Sequence, residues 1–315
     1  MVITTYLAPI NKFNNIAFRE LCLEYGADFV FTEMINIDKL IDVDESQINK
    51  TQTCKNSQEK TIFQVICKDI SLIRTGINKI IEILGFKPYE INYNMGCPQS
   101  TLTKDETGVG ILKNIKKVEK VLDELSKIQS ETGIIMSIKT RLGISENSFI
   151  ADKIINLCIE KNINKIYFHC RYADQSYTKP AKIDKMISFI NSENKHKNKI
   201  DIIINGDINS MEKIHYLKSK NINSCMIGRW ALKNPVIFRQ IKDIKNKHEN
   251  ILSDKERINI IIRFIELSLK YNICFSSAKT NIFYLTKDMF DSCIVRAKIN
   301  DSKTYDEIIE ILKQI

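Results

Sequence analysis

Tyr89-Glu90-Ile91-Asn92-Tyr93-Asn94-Met95-Gly96-Cys97-Pro98 decides how the rest of the chain is read. Its first half is rich in β-formers and reads as a short strand over 90–93. Gly96 and Pro98 then force an irregular turn. Beyond Thr107-Gly108-Val109-Gly110, a helix is expected over 113–129, with Ile115, Val118, Leu122, Leu125 and Ile128 on one stripe. A cysteine therefore stands in a strand-to-helix loop. In α/β proteins those loops form the ligand-binding mouth rather than the core. Cys97 is thus the first candidate for a reactive group.

Working outward, apolar runs short enough for buried parallel strands recur at 3–8, 29–31, 62–66, 90–93, 134–138, 165–168, 202–204 and 224–227. Amphipathic helical stretches separate most of them. One covers 149–160, with Ser148 as its expected N-cap, and another is capped by Ser210 and carries Ile214 and Leu217. Eight strands alternating with helices favour a (β/α)8 barrel over an open doubly wound sheet. The polar, irregular stretch 36–60 reads as an excursion over the barrel mouth. After Trp230 the strand signals cease, and Ser253-Asp254-Lys255-Glu256 is a capping box ahead of Ile258, Ile261, Ile262 and Ile265. The expected α/β fold is a (β/α)8 TIM barrel over 1–238 followed by a small C-terminal helical domain over 239–315. Its helices should break near 271–277 and 298–303.

Composition restricts the function classes. The 315 residues are 43% hydrophobic and 27% charged, ordinary values for a soluble enzyme, and no window approaches a membrane-spanning run. The N-terminus has no basic region and no cleavage site, which argues against secretion and for the cytoplasm. The nine cysteines are scattered with no Cys-x-x-Cys pair, so reduced thiols are expected and no metal site. Cys67, Cys158 and Cys225 lie in apolar surroundings and read as core residues. The net charge of +9 suits an anionic partner, but the chain's bias toward Lys, Asn and Ile accounts for it equally well.

The residues that follow the strands carry the case for an enzyme: Pro9 and Asn11, Thr32-Glu33, Gln64 late in its strand, Asn94 and Cys97, Lys139 and Arg141, His169 and Arg171, Asn205-Gly206-Asp207, and Gly228-Arg229. In a barrel all of them converge on the catalytic face. The last two loops follow strands seven and eight, where barrels commonly hold a phosphate. There a glycine admits close backbone approach and Arg229 adds a charged fork. Lys139 ends an apolar strand, and burying it unpaired is costly, so a ligand anion or cofactor ring is its expected neighbour. Gly-x-x-x-x-Gly-Lys and Gly-x-Gly-x-x-Gly nucleotide loops are absent.

With these motifs in order, the chain resembles the tRNA-dihydrouridine synthases. The matching residues are Leu7-Ala8-Pro9, Phe18-Arg19, Gly26-Ala27, Thr32-Glu33-Met34, Gln64, Asn94-Met95-Gly96-Cys97-Pro98, Lys139-Thr140-Arg141-Leu142-Gly143, His169, Arg171, Asn205-Gly206-Asp207, Met226-Ile227-Gly228-Arg229, Ala231-Leu232 and Asn234-Pro235. The resemblance implies an enzyme that reduces uridines in tRNA with FMN recharged by NADPH, and a helical domain that helps grip tRNA. No obligate protein partner is implied. Pro9, Ile10 and Asn11 would border the flavin, and Gln64, Lys139 and His169 would hydrogen-bond its ring or ribityl chain. Asn205, Gly206, Asp207, Gly228 and Arg229 would hold its phosphate, while Asn94, Arg141 and Arg171 would face the uracil or the RNA backbone. Hydride would pass from flavin N5 to uracil C6, and Cys97, as a protonated thiol, would give a proton to C5. The pattern departs from the family in its first loop, which continues Ile10-Asn11-Lys12-Phe13, and in Cys170 where a glycine is usual. Two alternatives stand beside this reading: another FMN-dependent barrel oxidoreductase acting on a free pyrimidine or an enone, and a non-catalytic RNA-binding barrel.

Overall fold

Runs of Ile, Val, Phe and Tyr form strands at all eight expected places. In the computed structural model, which describes residues 3–192, 199–243 and 251–315, these are β1 (Thr4–Leu7), β2 (Phe29–Phe31), β4 (Thr61–Ile66), β5 (Glu90–Met95), β6 (Ile135–Arg141), β7 (Lys165–His169), β8 (Asp201–Asn205) and β9 (Ser224–Ile227), with a two-residue strand β3 (Ile35–Asn36) laid on the end of β4. Every pairing is parallel, and the order β2-β1-β9-β8-β7-β6-β5-β4 closes on itself through β2–β4. The chain is a (β/α)8 barrel with C-terminal helices. Residues 1–2 and 193–198 of the expected barrel and 244–250 of the expected helical domain lie outside the described residues.

Side chains alternate between the two faces of a strand, which sorts the barrel into an outer and an inner core. Outward residues such as Ile91, Tyr93, Ile138, Phe168 and Ile204 join the main apolar core under the helices. Inside, Tyr6, Phe31, Ile62, Tyr167, Ile203 and Met226 form a separate apolar cluster. Most other inward positions of β4–β6 are polar instead: Gln64, Glu90, Asn92, Asn94 and Ser137 are all buried.

Four strands extend beyond the expected bounds. β5 runs to Met95, β6 to Arg141, β7 to His169 and β8 to Asn205. Parallel ladders are bonded through the backbone, so a polar side chain does not end them. Asn94, Lys139, Arg141, His169 and Asn205 are therefore fixed on the sheet rather than carried on loops.

The helix expected over 113–129 is Ile115–Thr132, capped by the Asn114 side chain and ended by left-handed Gly133. The helix Ala151–Glu160 starts two residues later than expected, and Ser148 is not its cap. The Ser148 hydroxyl accepts from the Ile144 and Ser145 N–H groups instead, closing a turn ahead of the helix. Ser210 and the Ser253/Glu256 box do cap their helices.

Residues 36–60 are also corrected. They form helices Ile37–Ile41 and Glu45–Lys50 and a 3-10 turn Lys55–Lys60, with Ile37 and Leu40 sealed in the core. A side chain at Gly76 would collide with Ile37, so this segment packs on the helix Ile73–Leu84 at the outer wall. Its apolar residues turn it into packing where its polarity had suggested a cover.

Helices Asp254–Lys270, Phe275–Leu285, Ser292–Asp301 and Tyr305–Lys313 follow the barrel, broken at the two expected places and again at 286–291. They share the barrel's core. Phe264 meets Phe18 edge-on at 6.4 Å, and the Asn281 amide donates to the Phe13 carbonyl at 3.0 Å.

Candidate active site at the barrel mouth

The cysteine loop is held from several sides. The Asn94 side-chain oxygen accepts the N–H groups of Gly96 and Cys97 at 3.0 and 2.9 Å. Arg141 Nε donates to the Gly96 carbonyl at 3.0 Å, and the Val109 N–H donates to the Cys97 carbonyl at 2.9 Å. Gly108 sits at φ +53°, and a Cβ there would lie 2.6 Å from the Cys97 carbonyl oxygen. Only glycine accepts both that conformation and that approach. Cys97 is left half-buried, with its sulfur within electrostatic reach of Lys139 and Arg141.

Beside it opens a cavity of about 1120 Å³. Of the residues expected to bind a cofactor, Pro9, Ile10, Asn11, Lys139, His169, Asn205, Gly206, Asp207, Gly228 and Arg229 line it, and so does Arg171. Gln64, Asn94, Cys97 and Arg141 are not among its lining residues. The Gln64 amide is engaged below it, donating to Asn92 at 2.8 Å and accepting from Asn94 at 2.9 Å. The Arg141 guanidinium is buried against the Gly96 and Tyr172 carbonyls and the Tyr177 hydroxyl. Both residues brace the mouth from behind. Cys170 has its side chain fully buried in the outer core, so its bulk does not reach the cavity.

Electrostatics divides the cavity into two ends. Lys139 has no hydrogen-bond partner among the described residues. Burial first, and Arg141 second, pull its ammonium down to about 8. His169 is held well below the usual histidine range by burial and by Lys139, Arg141, Arg171 and Arg229, so it is neutral. Arg171 Nη1 lies 3.1 Å from His169 Nε2. A guanidinium can only donate, so Nε2 is the acceptor and Nδ1 carries the proton. This end offers an unpartnered cation and a neutral ring.

The other end is a cationic corner. The Asp207 carboxylate takes Arg171 Nη2 at 2.6 Å, Arg229 Nη2 at 2.8 Å and the Ala181 N–H at 2.8 Å. Burial opposes its charge, but these hydrogen bonds and the two guanidinium charges hold it below the usual carboxylate range. The Asp207 carboxylate is thus occupied in orienting the two arginines. Gly206, at φ +123°, would place a Cβ 3.0 Å from Ala181 and 3.1 Å from His169, so this turn needs glycine.

Several lining residues escaped the sequence reading. Tyr177 stacks within 5.8 Å of the Arg141, Arg171 and Arg229 guanidinium carbons. Lys213 donates to the Asp207 carbonyl at 2.6 Å. Arg257 and Tyr284 reach the cavity from the C-terminal helices, and Lys287 from the 286–291 break between two of them. The signal for Lys213 was a cation in the first turn of the helix after Asn-Gly-Asp; nothing local marks the helical residues. Among the described residues no group of His, Cys, Asp and Glu could hold a metal, and no helix is long and apolar enough to cross a membrane.

A closed parallel barrel with a sheet-borne lysine, a neutral histidine and an arginine corner at its C-terminal pole defines a class, the (β/α)8 barrels with a cationic mouth. Within it, the family model "Dihydrouridine synthase (Dus)" matches residues 6–314, and the chain belongs to that family. It is similar to the tRNA-dihydrouridine(47) synthase [NAD(P)(+)]-like protein of Xenopus tropicalis, 26% identical over 285 residues, covering 89% of this chain and 42% of that protein. The protein of that name from Homo sapiens is 25% identical over 269 residues, covering 84% of this chain and 39% of its own length. The chain thus spans about two fifths of the length of these relatives. A solved DHODH from Eimeria tenella, in complex with ferulenol, shares the fold, with a TM-score of 0.51 at 14% identity over 76% of this chain and 79% of that one.

Proposed function

We propose that this protein reduces uridine in tRNA to 5,6-dihydrouridine, using FMN held in the barrel mouth and NADPH as reductant. The carrying observation is that Cys97 stands on a braced loop beside Lys139 at the edge of a cavity whose cationic ends have no carboxylate of their own beyond Asp207 and Asp288.

The residues present fit a flavin mononucleotide. The unpartnered Lys139 ammonium and the free Nδ1–H of His169 suit a ring with carbonyl and imine acceptors. Arg229, Lys213 and the turns at Gly206 and Gly228 suit a phosphate, and Pro9, Ile10 and Asn11 border the space between. Bound there, the flavin supplies the hydride taken up at uracil C6.

The protein's own part is positioning and proton transfer. Asn94, Arg141 and Gly108 hold the Cys97 backbone so that the thiol can give its proton to uracil C5. Lys139 opposes the negative charge that builds on the uracil as hydride arrives. The cavity sits inside a barrel, so the base must leave its stack, which costs a few kcal/mol offset by phosphate contacts. The segment 251–315 supplies Arg257 and Lys287 at the cavity rim, and with them the 239–315 region is the tRNA-gripping part of this reading.

The test compares dihydrouridine in tRNA from cells with and without the protein, beginning at position 47, which the relatives' names specify. Restored product requiring Cys97 supports the reading. Reduction of free uridine but not tRNA would move it to a small-molecule oxidoreductase.

A further inference from the structure

The inward face of β4–β7 carries a continuous hydrogen-bonded ladder from the far pole of the barrel to the cysteine loop. Lys165 Nζ donates to Glu90 Oε2 at 2.9 Å, while Tyr167 and Ser137 donate to Glu90 Oε1 at 2.9 and 2.6 Å. Asn92 Nδ2 donates to Ser137 Oγ at 2.7 Å, Gln64 Nε2 to Asn92 Oδ1 at 2.8 Å, and Asn94 Nδ2 to Gln64 Oε1 at 2.9 Å. The last acceptor, Asn94 Oδ1, receives the N–H groups of Gly96 and Cys97. Gln64, Asn92 and Ser137 are register partners on adjacent strands, so the rung is built into the sheet.

Every donor in this ladder points toward Glu90. Glu90, paired with Lys165, accepts from Tyr167 and from Ser137. Ser137 then accepts from Asn92, and each amide orientation fixes the next. Such chains polarise cooperatively in a low-dielectric interior. The orientation of the Asn94 amide, oxygen toward Cys97, is thus set from the opposite pole as well as by the loop itself.

We infer that Glu90 is a positioning residue for Cys97, acting through Ser137, Asn92, Gln64 and Asn94. Its catalytic meaning rests on Cys97 being the proton donor proposed above. Its geometry does not, and the test avoids turnover.

Glu90→Gln keeps size and removes the charge. Lys165 retains the glutamine oxygen, which turns the new NH2 onto Ser137 and Tyr167. Ser137 then donates to Asn92, the amides reverse, and Asn94 presents its NH2 to the N–H groups of Gly96 and Cys97. Iodoacetamide alkylation of Cys97, followed by peptide mass spectrometry on the whole protein, reads the loop directly. Exposed Cys274 and Cys293 serve as internal controls. The expected result is a Cys97 rate shifted by about fivefold to a hundredfold, as the loss of the two ordinary hydrogen bonds to Asn94 Oδ1 implies, with the control thiols unchanged.

Adding Lys165→Met removes the cation that pins the glutamine oxygen, so the Glu90→Gln/Lys165→Met protein should return toward the wild-type rate. A Cys97 rate equal to wild type in folded Glu90→Gln overturns the inference, as does a double variant no closer to wild type than the single. If Glu90→Gln does not fold, Ser137→Ala removes the middle rung without adding a donor, and an unchanged Cys97 rate there overturns it equally. A protein that makes no dihydrouridine yet shows these shifts would sink the proposed function and leave the ladder standing.

Discussion

Arg171 Nη2 lies 2.6 Å from Asp207 Oδ2 with its guanidinium sealed from solvent, and that pair organises the cationic end of the cavity. The other oxygen of the same carboxylate holds Arg229, whose side chain stays 57% exposed and free to meet a ligand. One carboxylate therefore anchors a buried arginine and orients an exposed one.

Asp207→Asn should cost about 2 kcal/mol of stability, less than breaking a fully buried pair because Asp207 is partly open to water. Its folded carboxyl sits below the usual range, so the stabilisation is present above the unfolded value of about 3.9 and fades as pH falls through the lower folded one. Urea unfolding of both proteins from pH 7 down to pH 2 checks this. The two stability curves should converge at the acid end.

Lys139→Met should separate cofactor binding from folding. The folded ammonium is lowered to about 8 by burial. It therefore opposes folding at neutral pH and ceases to do so as pH rises from about 8 toward its unfolded value near 10.4. Removing it should raise Tm at pH 7 in the flavin-free protein while weakening FMN binding by at least about tenfold. Calorimetry and flavin titration read the two effects separately.

Cys97→Ala should lower the rate of dihydrouridine formation by about 10²- to 10⁴-fold, the usual range for losing a positioned proton donor. Flavin content should stay near wild type, since Cys97 is not among the cavity's lining residues. A large fall in bound flavin would show that the thiol serves the cofactor rather than the substrate.

Gly108→Ala tests the brace behind the thiol. Its Cβ would meet the Cys97 carbonyl oxygen at 2.6 Å in a left-handed conformation, so a destabilisation of about 1–2 kcal/mol is expected from backbone strain alone. Product formation should fall further than stability does, because the collision displaces the loop that carries the thiol.

Lys287→Ala should weaken tRNA binding and lower the slope of log affinity against log salt by about 1, the signature of one lost phosphate contact. Lys287 lies 3.8 Å over the Tyr284 ring at the cavity rim, with its ammonium pulled down by burial and by Lys233 and Arg296. An unchanged salt slope would place the RNA elsewhere.

Much of the fold was legible because its causes are local. Strand-forming runs alternated with helical stripes, glycine and proline punctuated them, and Ser210 and Ser253 marked helix starts. Where sequence reading failed, a competing local role had won. Ser148 closes a turn instead of capping a helix, and the polar stretch 36–60 hides Ile37 and Leu40, which seat it on the outer wall. Polarity alone could not show which few residues of that stretch would be buried.

By itself, the chain's order of residues determined the barrel, the family and the convergence of Cys97, Lys139, His169, Gly206 and Arg229 on one pole, because strand direction and side-chain alternation are short-range properties. Only the tertiary structure decided what each polar group does once there. Gln64, Arg141 and Arg171 spend their hydrogen bonds on the protein itself, the Lys139 ammonium spends none among the described residues, and Lys287 arrives from a segment distant in the chain. A hydrogen-bonding group has few partners to give, and which ones it meets depends on neighbours that closure of the barrel brings within 3 Å.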